Sequence, residues 1–269
     1  MEEEKYCPNC GRYVGSLEVC PYCGTKIPKH TSYYYAKYGS LTFAVFGIVF
    51  LLLFAQSTPV QQVHIGDIGP TYNYGLVEIH GIVSSTPSLV VKGDGSQTLY
   101  INVDDGTGVM AVHVYNPNVE RLAKEHKIPG YGDFVDIKGE VYFRGTNRYM
   151  IINDPKQINI KQIAPVKMSV SNINSVPYSN GDSLHVTVVG KVLHYKSTFS
   201  HSFILNFTDG GGYLTIYIPS YFYYMYHFDA KCLEGENVRI TGAMQWYGSE
   251  MSGEWEIIPA DTSDIEVIS

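Results

Sequence analysis

Four of the five cysteines fall within the first 23 residues, as the pairs Cys7-Pro8-Asn9-Cys10-Gly11 and Cys20-Pro21-Tyr22-Cys23-Gly24. Two residues between thiols let both sulfurs of a pair face one point. Two such pairs place four thiolates tetrahedrally around one ion. The glycine after each second cysteine permits the turn that aims backbone N–H groups at sulfur. A stretch this short cannot fold on apolar burial, so the ion supplies its folding free energy. Tetrahedral thiolates favour Zn²⁺, with iron as the rival metal and two disulfides as the metal-free alternative. All four positions are ligands, which leaves none open for chemistry. The fifth thiol, Cys232, is expected as a buried core residue.

Other chemistry is sparse. Nine histidines are scattered, without a His-Glu-x-x-His, a Gly-x-Ser-x-Gly or a phosphate-binding Gly-Lys-Ser/Thr. The Asp104-Asp105 pair reads as turn chemistry rather than an acid/base pair. The expectation is a protein that is not an enzyme and uses no small-molecule cofactor.

The elements that hold these residues begin with an apolar run. No charged residue occurs from Tyr38 to Val63, and residues 39–57 approach the roughly 20 needed to cross a bilayer. Tyr33, Tyr34, Tyr35 and Tyr38 precede the run like an interfacial belt. Lys26, Lys29 and Lys37 flank it on the N-terminal side, and no Lys or Arg follows until Lys92. The positive-inside rule then predicts a single-pass membrane protein with the cysteine segment in the cytoplasm and the rest outside. Residues 58–71 read as a polar linker.

Beyond residue 71 the chain repeats itself. Val103-Asp104-Asp105-Gly106-Thr107-Gly108 returns as Phe207-Thr208-Asp209-Gly210-Gly211-Gly212, and the Gly132–Gly139 segment returns as Gly235–Gly242. Leu99, Ile101 and Val103 alternate with Tyr100 and Asn102, the period of a half-buried strand. Each unit reads strand, strand, Asp-Gly turn, strand, short helix, Gly-Asp turn, strand, strand. In the first unit Val119, Leu122 and Ala123 would plug a barrel end.

Two resemblances follow from these residues. Residues 1–28 resemble the zinc ribbons that begin many prokaryotic membrane proteins. The strand ending in Asp105-Gly106-Thr107-Gly108, with Gly132-Asp133 leading a Val-x-Ile-x-Gly strand, resembles the tRNA/helicase-type OB-fold domains. That resemblance implies a mainly β protein: two five-stranded OB-fold Greek-key barrels, at 72–161 and 173–269. A four-cysteine zinc ribbon and one transmembrane helix precede them. The combination looks archaeal.

OB domains bind oligonucleotides or oligosaccharides on one sheet face. In the first barrel that face would carry Tyr100, Asn102, His113, Tyr115, Tyr142, Arg144 and Arg148. Aromatics there stack bases and the arginines pair phosphates. In the second it would carry Ile204, Asn206, Tyr213, Tyr217, Gln245 and Tyr247, without a cation. Residues 72–161 hold 9 basic and 10 acidic side chains, whereas 162–269 hold 5 and 11. The chain's net charge of −7 therefore sits mostly in the second unit, a poor match for a polyanion. The implied partners are a lipid bilayer and single-stranded nucleic acid at the first barrel. The alternative is an envelope scaffold or sensor whose barrels bind protein or glycan.

Overall fold

A computed structural model describes residues 6–15, 17–27, 31–57, 60–145, 147–161, 163–178 and 183–268. Lys29 and the side chain of Tyr33 lie outside the described residues. The chain forms two compact units, Met1–Pro59 and Val60–Ser269.

In the first unit each cysteine pair closes a small knuckle. The N–H of Gly11 donates to the Cys7 carbonyl and that of Gly24 to the Cys20 carbonyl, both at 2.9 Å. Gly11 and Gly24 take φ of 68° and 71°, a conformation with little steric cost only for glycine. Helix α1 follows, Thr31–Ser57. Within it, Tyr34–Ala55 has a mean hydropathy of 2.2 and buries nothing against protein. Its 22 residues extend about 33 Å, enough to cross a hydrocarbon core of about 30 Å.

The second unit holds two closed barrels. The first uses β1 (Leu76–Val83), β2 (Gln97–Asp104), β3 (Val109–Tyr115), β4 (Phe134–Arg144) and β5 (Asn147–Ile152). Its order is β1-β2-β3-β5-β4, and β4 returns to β1. Every pairing is antiparallel except β3 with β5. Helix α2 (Asn118–Lys124) lies between β3 and β4 and buries Val119, Leu122 and Ala123. The second barrel repeats this with β6 (His185–Ser197), β7 (Phe203–Thr208), β8 (Tyr213–Ile218), β9 (Asn237–Tyr247) and β10 (Glu254–Ile258). Its order is β6-β7-β8-β10-β9 with β9 returning to β6, and β8 with β10 is again the parallel pair. This strand order, with a helix between the third and fourth strands, defines the OB-fold, here present twice.

Local chemistry explains why both copies close. Strand β1 must bend from β4 toward β2, and the bend falls at Gly81, where a Cβ would sit 2.5 Å from the Asp104 carbonyl oxygen. Gly190 occupies the same place in β6, against the Thr208 carbonyl. Each β-turn aspartate also ties down the segment that precedes its barrel. Asp105 accepts from the Ile65 N–H at 2.7 Å, and Asp209 from the Val170 N–H at 2.8 Å. Ile65 and Ile68 are buried as a result, so the segment read as a linker is anchored to the barrel at these two residues.

One further feature differs from expectation. Cys232 is exposed rather than buried, because Ala230 and Leu233 take the inward positions of its short helical turn. A third helix, α3 (Tyr221–Tyr226), fills the place of α2 in the second barrel and buries Tyr221 and Phe222. Its Tyr226 ring stacks on His126 of the first barrel, with centroids 6.0 Å apart.

Candidate functional site

The sulfurs of Cys7, Cys10, Cys20 and Cys23 all lie within 4.8 Å of one another. Cys7 and Cys23 are 3.5 Å apart, and Cys10 and Cys20 are 3.6 Å apart. Four thiolates at about 2.3 Å from one ion stand about 3.8 Å from each other. A disulfide would need about 2.05 Å, and all four cysteines are free. The donor set therefore fits a tetrahedral metal ion. Cys7, Val14 and Cys20 are buried with Ile27 packed on them, the small core such a site organises.

The first barrel carries a continuous aromatic row. Tyr142 on β4 stacks on Tyr149 of β5, with centroids 5.7 Å apart and planes within 13°. Tyr149 stacks on His113 of β3 at 4.6 Å and 14°, and His113 meets Tyr100 of β2 edge-on at 4.7 Å. Tyr74 extends the row, edge-on to Tyr142 at 5.3 Å. Strand pairing causes this directly, since Tyr142 is the register partner of Tyr149 and Tyr100 that of His113. Tyr115 adds an exposed hydroxyl 3.3 Å from His113 Nδ1. Burial holds the His113 imidazole below its usual pKa, so the row is uncharged at neutral pH. A hydrogen bond to Glu140 raises that of Tyr142.

Of the residues read from sequence, Tyr100, His113, Tyr115 and Tyr142 come together here. Asn102 is tied by its amide to the Ser85 hydroxyl at 3.0 Å. Arg144 is exposed at the β4–β5 hairpin, paired in register with Asn147. Arg148 departs from the expected face: it shares the parity of the buried Met150 and Ile152, and its guanidinium donates to the Ile68 carbonyl at 2.9 Å. Tyr149 and Tyr74 were not among the sequence candidates. The alternation of Tyr149 with Met150 is the signal that points it outward. Tyr74 has no such signal. It takes φ of 64°, which costs a non-glycine residue about 1–2 kcal/mol, and its N–H donates to the Val141 carbonyl at 2.7 Å.

Between the barrels lies a cavity of 780 Å³, rich in acid and imidazole groups. The Asp133 carboxylate accepts from the Gly130 N–H at 2.7 Å and stands 3.5 Å from His185 Nε2. Burial, with Asp264 nearby, pushes Asp133 up to about 6. Burial likewise raises Asp264 and lowers His185. At the rim, His126 Nδ1 lies 2.9 Å from Asp261. Asp105 behaves oppositely: burial would raise it, but the Thr107 hydroxyl and the N–H groups of Ile65, Thr107 and Gly108 hold it at about 2.

No protein-family model matches this chain, and no curated protein does. Among solved structures it is similar to the second OB-fold domain of replication protein A from Methanococcus maripaludis, at 15% identity. That match covers 39% of this chain and 98% of the other, with a TM-score of 0.29. A replication protein A heterotrimer bound to ssDNA is similar at 10% identity, over 77% of this chain and 51% of the other, with a TM-score of 0.36. An OBody bound to hen egg-white lysozyme is similar at 22% identity, over 39% of this chain and 96% of the other, with a TM-score of 0.30. The fold assignment rests on the strand order itself: this chain carries two OB-fold barrels, four clustered cysteines and one helix long and apolar enough to span a membrane.

Proposed function

We propose that this protein is a membrane-anchored binding protein whose first OB barrel holds single-stranded nucleic acid. The observation that carries the reading is the aromatic row from Tyr74 through Tyr142, Tyr149 and His113 to Tyr100. Its rings offer stacking surfaces across four strands, and stacking contributes about 1–3 kcal/mol per base. Arg144, at the end of the row, supplies a phosphate contact.

The cysteine site is read as a structural zinc centre, which supplies folding free energy and no reaction. Helix α1 is read as the anchor, because water cannot cover its apolar surface at low cost and lipid can. The flanking lysines favour a cytoplasmic cysteine segment. On that sidedness the strands available to the barrel are extracytoplasmic DNA. Protease accessibility on intact cells tests the sidedness, since cytoplasmic barrels resist cleavage until the cells are opened.

The binding test is a titration of the full chain with labelled single strands at two salt concentrations. Tyr149→Ala is expected to weaken binding about 5- to 150-fold. With Arg144 as the cation on the face, log K should fall with log salt at a slope near −0.7, and no steeper than about −1.5. A Tyr149→Ala variant that binds as well as the parent refutes the stacking reading.

A further inference from the structure

The second barrel's face has a different chemistry. Strand β8 pairs with β10 only at Thr215–Glu256 and Ile216–Ile257. Before those positions the strands part, and a pocket of 450 Å³ opens. Tyr213, Trp246 and Trp255 form its aromatic walls, while Asn206, Thr215 and Glu254 supply its polar groups. The two indoles stand nearly perpendicular, at 78° with centroids 5.1 Å apart. Both indole N–H groups are used elsewhere: Trp246 donates to the Ser249 carbonyl and Trp255 to the Val176 carbonyl, each at 2.9 Å. The rings are thereby pinned and offer the pocket their π surfaces and edges, not a donor.

The charge balance is one-sided. No Lys or Arg is among the described residues lining the pocket. The Thr215 hydroxyl donates to Glu254 at 3.3 Å, and that carboxylate's other oxygen has no partner among the described residues. Glu256 is the next same-side position on β10. It is only 8% exposed and has no hydrogen-bond partner among the described residues. Burial, and then the Glu254 charge, push it up to about 7. The nearest cation in register across this face is Lys191 on β6, opposite Thr208 and through it Tyr213, three strands from β10. Two neighbouring carboxylates without a counter-charge are relieved by a bound cation.

We propose that this pocket binds an alkylammonium group, held between the aromatic walls and the Glu254 carboxylate. Aromatic faces attract organic cations through the ring quadrupole, and a carboxylate supplies the opposing charge. A bare metal ion suits the site poorly: among the described residues, only the four cysteines bring three or more ligand atoms together. A sugar ring suits it poorly as well, because stacking wants one flat platform and the indoles make a right-angled corner. A compact, roughly spherical head group fits that corner. The ammonium belongs either to a small solute or to a lysine side chain of a peptide, and the probes separate these two.

The test is calorimetric titration of the full chain in nanodiscs of phosphatidylglycerol, a lipid whose headgroup carries no ammonium. The probes are choline, N-acetyl-lysine amide, the neutral carbon isostere 3,3-dimethyl-1-butanol, and a neutral disaccharide. Binding of choline or of the lysine amide, with the isostere about tenfold weaker or more, supports the proposal and identifies the source. Glu254→Gln and Tyr213→Ala, both at exposed positions that leave the core intact, should each weaken the cation about tenfold. Equal binding of the isostere, binding of the disaccharide alone, no binding of either cation, or variants that bind as the parent does would each overturn it. Nucleic-acid titration of the same variants should be unchanged, which keeps this outcome separate from that of the first barrel.

Discussion

Replacing Asp133 by Asn tests the electrostatics of the cavity between the barrels. The Asp133 carboxyl is 14% exposed and is pushed from about 3.8 to about 6 by burial. A raised carboxyl means that the folded state binds an extra proton between those two values. Wild-type stability therefore falls as pH rises from about 4 to about 6, and stays lowered above that. The shift of roughly two units corresponds to about 3 kcal/mol. Asn keeps an oxygen to accept from the Gly130 N–H, now 2.7 Å from the carboxylate, and carries no charge at any pH. Asp133→Asn should thus be neutral at pH 4 and stabilising by up to about 3 kcal/mol at pH 7.5. Urea unfolding of the full chain followed by far-ultraviolet circular dichroism at both pH values reads this directly. Asp264 and Asp261 face the same cavity and carry the same charge, so they reinforce the sign. A protonated His185, 3.5 Å away, would reverse it by stabilising the carboxylate. A variant that is destabilised at pH 7.5, or equally stabilised at both pH values, refutes the argument.

Other expectations are simpler to check. Purified full chain should carry about one zinc per molecule by mass spectrometry, and Cys10→Ser should release it; thiol counts consistent with two disulfides would contradict this. Gly81→Ala places a Cβ 2.5 Å from a backbone oxygen and should lower stability by about 1–3 kcal/mol. Gly93→Ala, which meets nothing within 4 Å, should change it by less than about 0.5 kcal/mol. Because burial holds His113 below its usual pKa, it is neutral at pH 7, and a positive charge enters the aromatic row only on acidification below the usual imidazole range. Affinity for single strands should rise on acidification, and His113→Phe should abolish the rise.

Much of this architecture was legible in the sequence because it is built from local periodicities. Leu99, Ile101 and Val103 had to face one way, and the Asp-Gly turns had to recur about 104 residues apart. The four cysteines announced their geometry through spacing alone. The aromatic face was only half legible, because a row across four strands depends on register, which no single strand reveals. Tyr149 belongs to the row through its pairing with Tyr142, and Tyr74 through a left-handed backbone that composition does not signal. Arg148 misled for the related reason that a cation beside a tyrosine suggests a phosphate contact, whereas parity sent it to the Ile68 carbonyl. Cys232 misled because thiols are usually buried, while the inward positions of its turn were already taken by Ala230 and Leu233. The corner formed by Trp246 and Trp255 comes from their register pairing across β9 and β10, and the pocket beside it opens where β8 and β10 part, a long-range feature that no spacing encodes.

The separation of aromatic types between the barrels has an optical consequence. Both tryptophans of the chain, Trp246 and Trp255, line the pocket of the second barrel, while the first barrel's row holds tyrosines and a histidine. Indole emission therefore reports occupancy of one barrel without contribution from the other. The stacked tyrosines, with centroids under 6 Å from their neighbours, couple their transition dipoles and should give the first barrel its own near-ultraviolet dichroic band. The protein is thus labelled at both faces by its own chromophores, and two ligands can be followed at once without attaching a dye.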